Sequence, residues 1–471
     1  MNPLINHNLP IVPKEDEDSM TSEQQKLTRE GDINFSSQRE KWYEALPSNT
    51  KEQLRADADI FMKQSMSTPC LDVLADAEGA YITDCQGKRY LDFHGNSLHQ
   101  IGYKNPLVIE AIQKQLWNLP FVPRRFTADI VIKAANLLVE KTTSKDYRVL
   151  FHPSGSGAIG MALKIARKAT GKQKIISMWE SFHGAGLDAI SVGGEAVFKK
   201  DMGLLMPGCM KAIPYNSYRN LLHSANPEKV ADFCIEYIRY IIENEGDIGA
   251  ILLEPVRATD IHIPPVSYFK KLRQICDENG ILLIFDEIPT ALGRSGQFYV
   301  HQNFEVEPDI LVLGKGLGGG VIPQAAVLAK KQYDCAAEIS LGHYTHEKPA
   351  LGCAAICATI EYIDKEDLVE RARELGTFMR EQGEALYQKF ECIGEIRQIG
   401  LMMAFEIVRD RETKEKDTQL AEKLLYGCLT EGLSFKVSGG SCLVWHPPLI
   451  VTKEQLKTAF AILKKVLEEQ K

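Results

Sequence analysis

Three charged side chains follow directly on short apolar runs: Glu254 after GAILL, Asp286 after ILLIF, and Lys315, behind Gly314, after DILVL. A charge is costly to bury alone, so three of them at the ends of apolar segments suggest one shared site. A fourth segment, SGSGAIG (Ser154 to Gly160), follows another short apolar run and opens a helical pattern. Its glycines let successive backbone N–H groups approach an anion. The helix N-terminus adds partial positive charge, and Ser154 and Ser156 add hydroxyl donors. Taken singly, such a segment is as well a tight turn, and a lysine is most often a surface residue. Together, an amine (Lys315), a carboxylate (Asp286) and a phosphate cup (Ser154, Gly155, Ser156) are what pyridoxal-phosphate chemistry requires. The glycines around Lys315 leave space for a planar cofactor. A rival reading rests on the literal GxGxxG of Gly155, Gly157 and Gly160, with Glu180 further on, which spells a dinucleotide fingerprint. A nicotinamide dehydrogenase would leave Lys315 and Asp286 without a role.

The elements that must position these groups are legible as a pattern. Between about residues 145 and 329, apolar runs (VLF, KIISM, GAILLE, ILLIF, DILVL) alternate with helical segments such as MALKIARKA and SYFKKLRQICDEN. Runs apolar on both faces describe strands of a mostly parallel sheet flanked by helices, an α/β class. Ligands of such sheets collect outside the carboxyl ends of the strands, where the three charges fall. The chain divides into a polar arm over 1–50, the first part of a small domain over 51–105, a large cofactor-binding domain over 106–360, and a C-terminal part of the small α+β domain over 361–471. Within the second segment, AYITDCQGKRYLDF reads as a hairpin turning at Gln86-Gly87. Strands are expected again over 394–407 and 441–451.

The bulk properties narrow the class. A net charge of −8 with no long basic run argues against a nucleic-acid surface. The eleven cysteines are scattered without a CxxC pair, so no metal site is expected. No apolar run approaches the roughly 20 residues that cross a bilayer, and the first residues carry no secretory pattern. A cytoplasmic enzyme is the expected setting.

The segments LDFHGNSLHQIGYKNP, SGSGA, SFHGAG, ILLEPV, GILLIFDEIPTALGRSG, PDILVLGKGLGGG and YTHEKPALGCAA resemble the class III aminotransferases, a fold-type I pyridoxal-phosphate family, over roughly residues 60 to 465. The resemblance implies that Lys315 is the Schiff-base lysine and proton shuttle and that Asp286 pairs with the pyridinium. It implies that Ser156 and its neighbours bind phosphate, that Phe182 stacks on the ring, and that His183, Glu254 and Ile288 complete the pocket. Thr345 would reach the cofactor of a neighbouring subunit, which implies a homodimer.

Departures from the family pattern bear on the reaction. Pro153 to Gly157 replace the usual Asn-Ser-Gly-Ser-Glu, and Pro289 stands where a glutamine is usual. Three residues before the paired Pro447 and Pro448, many members carry an arginine that holds an α-carboxylate; here the residue is Val444. Arg257 follows the strand-end Glu254 where glutamine is more usual, and Arg124, Arg125 and Lys436 are further candidates for holding a substrate anion. Guanidinium groups suit bidentate capture of a phosphonate. The pattern looks most like the branch of the family that eliminates ammonia from a small 2-amino-1-hydroxyalkylphosphonate, 1-hydroxy-2-aminoethylphosphonate giving phosphonoacetaldehyde. An ω-aminotransferase using pyruvate or 2-oxoglutarate is the alternative.

Overall fold

The computed structural model of the chain describes residues 36–62 and 70–470. Most of the expected polar arm, 1–35, lies outside the described residues. Its last part is helical instead, over Ser37–Ala45 and Ser48–Ile60. Ser36 caps the first of these by accepting from the Arg39 N–H, and the Trp42 indole donates to the Leu71 carbonyl at 2.9 Å. An N-cap hydroxyl of this kind contributes about 1 kcal/mol, enough to fix where a polar segment starts its helix.

Strands β1 (Leu74–Glu78), β2 (Tyr81–Asp84) and β3 (Arg89–Asp92) form a meander whose second turn contains Gln86 and Gly87. The main sheet has seven strands: β4 (Tyr147–His152), β5 (Lys174–Met178), β6 (Cys209–Ala212), β7 (Ile248–Leu253), β8 (Leu282–Asp286), β9 (Ile310–Leu313) and β10 (Ala325–Lys330). They lie side by side in the order β4-β10-β9-β8-β7-β5-β6. The five strands from β9 to β6 run parallel, and β10 is antiparallel to both its neighbours. The parallel strands β7, β8 and β9 are buried at every residue, because helices cover both faces. Each leucine or isoleucine so enclosed contributes about 1.5–3 kcal/mol. No helix separates β9 from β10, only a 3-10 turn over Lys315–Gly318. The chain therefore returns antiparallel, and the glycine-rich turn is left at the strand ends.

Toward the C-terminus β11 (Ile393–Ile399), β12 (Met402–Asp410) and β13 (Glu415–Lys416) are followed by β14 (Leu433–Ser434), β15 (Lys436–Ser438) and β16 (Cys442–Trp445). Strand β16 stops earlier than expected; the paired prolines that follow lack the N–H groups a ladder needs. β14 joins β3 in parallel, so the first and last parts of the chain share one sheet.

Candidate active site

A cavity of about 500 Å³ opens where β7, β8 and β9 end, lined among others by Ser154, Gly155, Ser156, Phe182, His183, Glu254, Asp286, Ile288, Lys315 and Lys436. Ten of the fourteen residues singled out from sequence therefore share one space, with Val444 and Pro289 also in its wall. Each arrives by a local reason. The helix Gly155–Thr170 begins at the cup. Ser154 Oγ accepts from the Gly157 N–H, and no acidic residue occupies the first turn, so the positive end of the helix faces the cavity uncompensated. Ser156 Oγ accepts from the Ala185 N–H at 2.7 Å, which leaves its own proton for an anion. Gly157 stands where the family usually has glutamate because a Cβ there would lie 1.8 Å from the His152 ring.

The Phe182-His183-Gly184 segment lies against the cup. Gly184 has φ +126, and a Cβ on it would fall 2.1 Å from Ser156 Oγ, so only glycine allows this approach. His183 Nδ1 is 2.7 Å from Asp286 Oδ2, and the Ile288 N–H donates to Asp286 Oδ1 at 3.0 Å. The buried Asp286 is thus held by a partner on each oxygen. Glu254 differs. Its Oε2 accepts from the Ala258 N–H at 3.2 Å, and its buried Oε1 has no hydrogen-bond partner among the described residues. Loss of water pushes its carboxyl up to about 7, an effect His183 opposes and Asp286 reinforces. Lys315 has φ +47, a left-handed backbone uncommon for a side chain of this size.

Four of the singled-out residues lie elsewhere in this chain. Arg257, expected to be available to a substrate anion, is engaged instead by Asp260, also through Nε at 2.8 Å, and by Glu180 at 3.1 Å. It lines an adjoining cavity of about 520 Å³, and its carboxylate partners already occupy the donors a phosphonate would use. The same contact accounts for Glu180, the acidic residue of the dinucleotide reading. Arg124 sits with His343, the Tyr344 carbonyl and Glu347, around the exposed Thr345; Arg125 is exposed nearby in sequence. Thr345 and both arginines are absent from the lining of the Lys315 cavity.

Sequence reasoning passed over His94, Asn96, Ser97 and His446, which also line it. Ser97 Oγ and His446 Nδ1 are 2.7 Å apart, and burial, with nearby Arg294, holds the imidazole well below its usual range. Asn96 and Ser97 share with Lys315 a positive φ. Three such residues around one cavity are a signal of function that only coordinates reveal.

A mostly parallel, helix-covered sheet with a lysine, an aspartate and an anion cup at the carboxyl ends of its central strands defines a fold-type I transferase-like enzyme. The chain belongs to the class III aminotransferase family, whose model matches residues 62–467. It is 46% identical over 452 residues to the (R)-1-hydroxy-2-aminoethylphosphonate ammonia-lyase of Vibrio splendidus, covering 93% of this chain and 94% of that protein. It is 32% identical to an acetylornithine aminotransferase of Methanosarcina acetivorans, over 83% of this chain and 90% of that one. Among solved structures it resembles a pyridoxal-phosphate-bound amine transaminase from an uncultivated Pseudomonas species (TM-score 0.82, 29% identity, 87% of this chain and 98% of that one). It resembles equally a taurine:2-oxoglutarate aminotransferase from Bifidobacterium kashiwanohense (TM-score 0.83, 28% identity, 89% and 98%). The residues here fit pyridoxal phosphate: an uncompensated helix N-terminus for its phosphate, a buried carboxylate for its ring nitrogen, and a lysine within the same cavity. Among the described residues no helix is long and apolar enough to cross a membrane.

Proposed function

We propose that this protein is a pyridoxal-phosphate-dependent ammonia-lyase acting on a small 2-amino-1-hydroxyalkylphosphonate, converting 1-hydroxy-2-aminoethylphosphonate to phosphonoacetaldehyde and ammonia. The observation that carries the reading is the 46% identity with the Vibrio splendidus lyase over nearly the whole of both chains. Val444 in the cavity wall supports it, since a lyase needs no clamp for the carboxylate of a keto acid.

When bound, the cofactor supplies an electron-withdrawing ring that accepts the electron pair released at the nitrogen-bearing carbon. The residues of the chain do the rest. Ser154, Gly155 and Ser156 would hold the cofactor's phosphate through backbone N–H groups and hydroxyls. Asp286, fixed by His183 and the Ile288 N–H, would pair with the ring nitrogen and favour its protonated form, and Phe182 would lie against the ring. Lys315 Nζ takes the proton from the nitrogen-bearing carbon. With that pair in place, the hydroxyl on the adjacent carbon is expelled, and hydrolysis then yields aldehyde and ammonia. Lys436 is the cation within this chain's cavity that suits the phosphonate.

Thr345 reaches the site of a second copy in a homodimer, and Arg124 and Arg125 go with it. The separation of this group from Lys315 within one chain supports that arrangement. The eleven cysteines are free thiols, which suits the reducing cytoplasm. The aminotransferase alternative is tested by supplying 2-aminoethylphosphonate, which has no leaving hydroxyl, with pyruvate or 2-oxoglutarate. The lyase reading expects no alanine or glutamate; steady amino-acid formation would contradict it.

A further inference from the structure

Expelling hydroxide from carbon is slow unless a proton reaches the departing oxygen, and Lys315 is committed to the opposite task of removing one. The cavity has two carboxyl groups in its lining, Asp286 and Glu254. Asp286 is held on both oxygens by His183 and the Ile288 N–H. Glu254 keeps one oxygen for the Ala258 N–H, while Oε1 is buried and without a partner. An unpaired carboxyl oxygen in a desolvated site is best satisfied when it carries a proton and meets an acceptor supplied by the substrate.

Resting on the lyase reading above, we propose that Glu254 is the catalytic acid that protonates the leaving hydroxyl. As Lys315 removes the proton from the nitrogen-bearing carbon, the C–H electron pair becomes the carbon–carbon double bond. The C–O bond breaks with its electron pair on oxygen, and Glu254 transfers its proton there, so that water departs and Glu254 is left as carboxylate. Lys315 returns its proton to the adjacent carbon of the resulting enamine, hydrolysis of the imine consumes one water and releases aldehyde and ammonia, and Glu254 regains a proton from solvent.

The surroundings keep Glu254 ready for this. Desolvation raises its carboxyl to about 7, with Asp286 adding to the shift and His183 and Arg257 opposing it. From the other elements around the cavity, Lys315, Lys436, His94 and His446 complete the set of titratable neighbours. Arg257 turns its guanidinium to Asp260 and Glu180, and β16 contributes Val444 to this wall, so neither forms a hydrogen-bonded ion pair with the Glu254 carboxyl.

The test compares 1-hydroxy-2-aminoethylphosphonate with its 1-fluoro analogue, because fluoride leaves without a proton. In the Glu254→Gln holoenzyme, ammonia release from the hydroxy substrate is expected to fall about 100-fold or more, whereas fluoride release stays near wild type. Cofactor content and visible absorbance should be unchanged, and a carboxylic-acid infrared band titrating near pH 7 should vanish. In wild type, kcat on the hydroxy substrate should decline as pH rises through about 7, a limb absent with the fluoro substrate. Equal losses on both substrates, or full activity of the Gln variant on the hydroxy substrate, would overturn the assignment. Wild-type enzyme inert toward both substrates would overturn the lyase reading itself, and the acid role with it.

Discussion

At the scale of single residues, the proposed mechanism separates groups that act from groups that stay still. Lys315 sits on a left-handed backbone at the start of a glycine-rich turn, a conformation maintained only where the surroundings enforce it. Lys315→Ala should abolish turnover and borohydride-fixable cofactor attachment while leaving the fold intact, measured by mass spectrometry of the reduced protein; residual turnover would remove Lys315 from the mechanism. Arg257 belongs to the other group. It is 8% exposed and answers two carboxylates, so Arg257→Ala leaves Asp260 and Glu180 without their cation. The expected loss is about 3–5 kcal/mol in urea unfolding, the cost of breaking a buried ion pair. A shift near zero, with KM for the phosphonate raised instead, would return Arg257 to the substrate. That Lys315 and Asp286 would come together at one cavity was legible in sequence, because strand-end charges announce themselves. Arg257 was not, since nothing in sequence says that Glu180 comes round to meet it.

Elements position these residues through one close approach. The glycine-rich start of the helix Gly155–Thr170 faces the cavity, and the Phe182-His183-Gly184 segment is pressed onto it at Ser156. Gly184→Ala places a methyl group into Ser156 Oγ and a side chain at φ +126, so the cup must open. Cofactor affinity should drop at least about tenfold, read by fluorescence titration of the apoenzyme, with little change in far-ultraviolet circular dichroism; an unchanged affinity would show that the cup does not hold the phosphate. The parallel strands were readable because both faces are apolar. The reversal of β10 was not, because AAVLA has the same composition in either direction and only the missing crossover helix decides. The helices over 37–60 escaped notice because their partners come from distant parts of the chain: Trp42 packs against Tyr426 and donates to the Leu71 carbonyl, and Thr50 meets Cys85.

Across the whole molecule, buried charge sets the conditions of stability, and the proposed dimer adds a second question. Burial alone would raise Glu406, but Arg397 and Arg219 bring it down to about 2 from an ordinary 4.5. Asp260 is likewise held below the usual carboxylate range, against its burial, by Arg257 and His262. Depressed folded-state values mean that the unfolded chain binds more protons in this window. Their stabilisation is full above about pH 4.5 and is lost as pH falls toward about 2. Urea midpoints should therefore decline between about pH 5 and pH 3, and a flat profile would contradict these pairings. Assembly has its own test. If Thr345 acts in the neighbouring site, mixing Lys315→Ala with Thr345→Ala subunits restores one complete site per mixed dimer, so activity should exceed that of either variant alone. No recovery after subunit exchange would confine Thr345 to its own chain.

The most direct measurement of the central claim is the product balance with 1-hydroxy-2-aminoethylphosphonate as sole substrate, no keto acid being present. The account expects ammonia and phosphonoacetaldehyde to accumulate together in equal amounts over many turnovers, followed by ³¹P NMR and an ammonia assay. Absence of ammonia under those conditions, with turnover appearing only when pyruvate or 2-oxoglutarate is added, would contradict it.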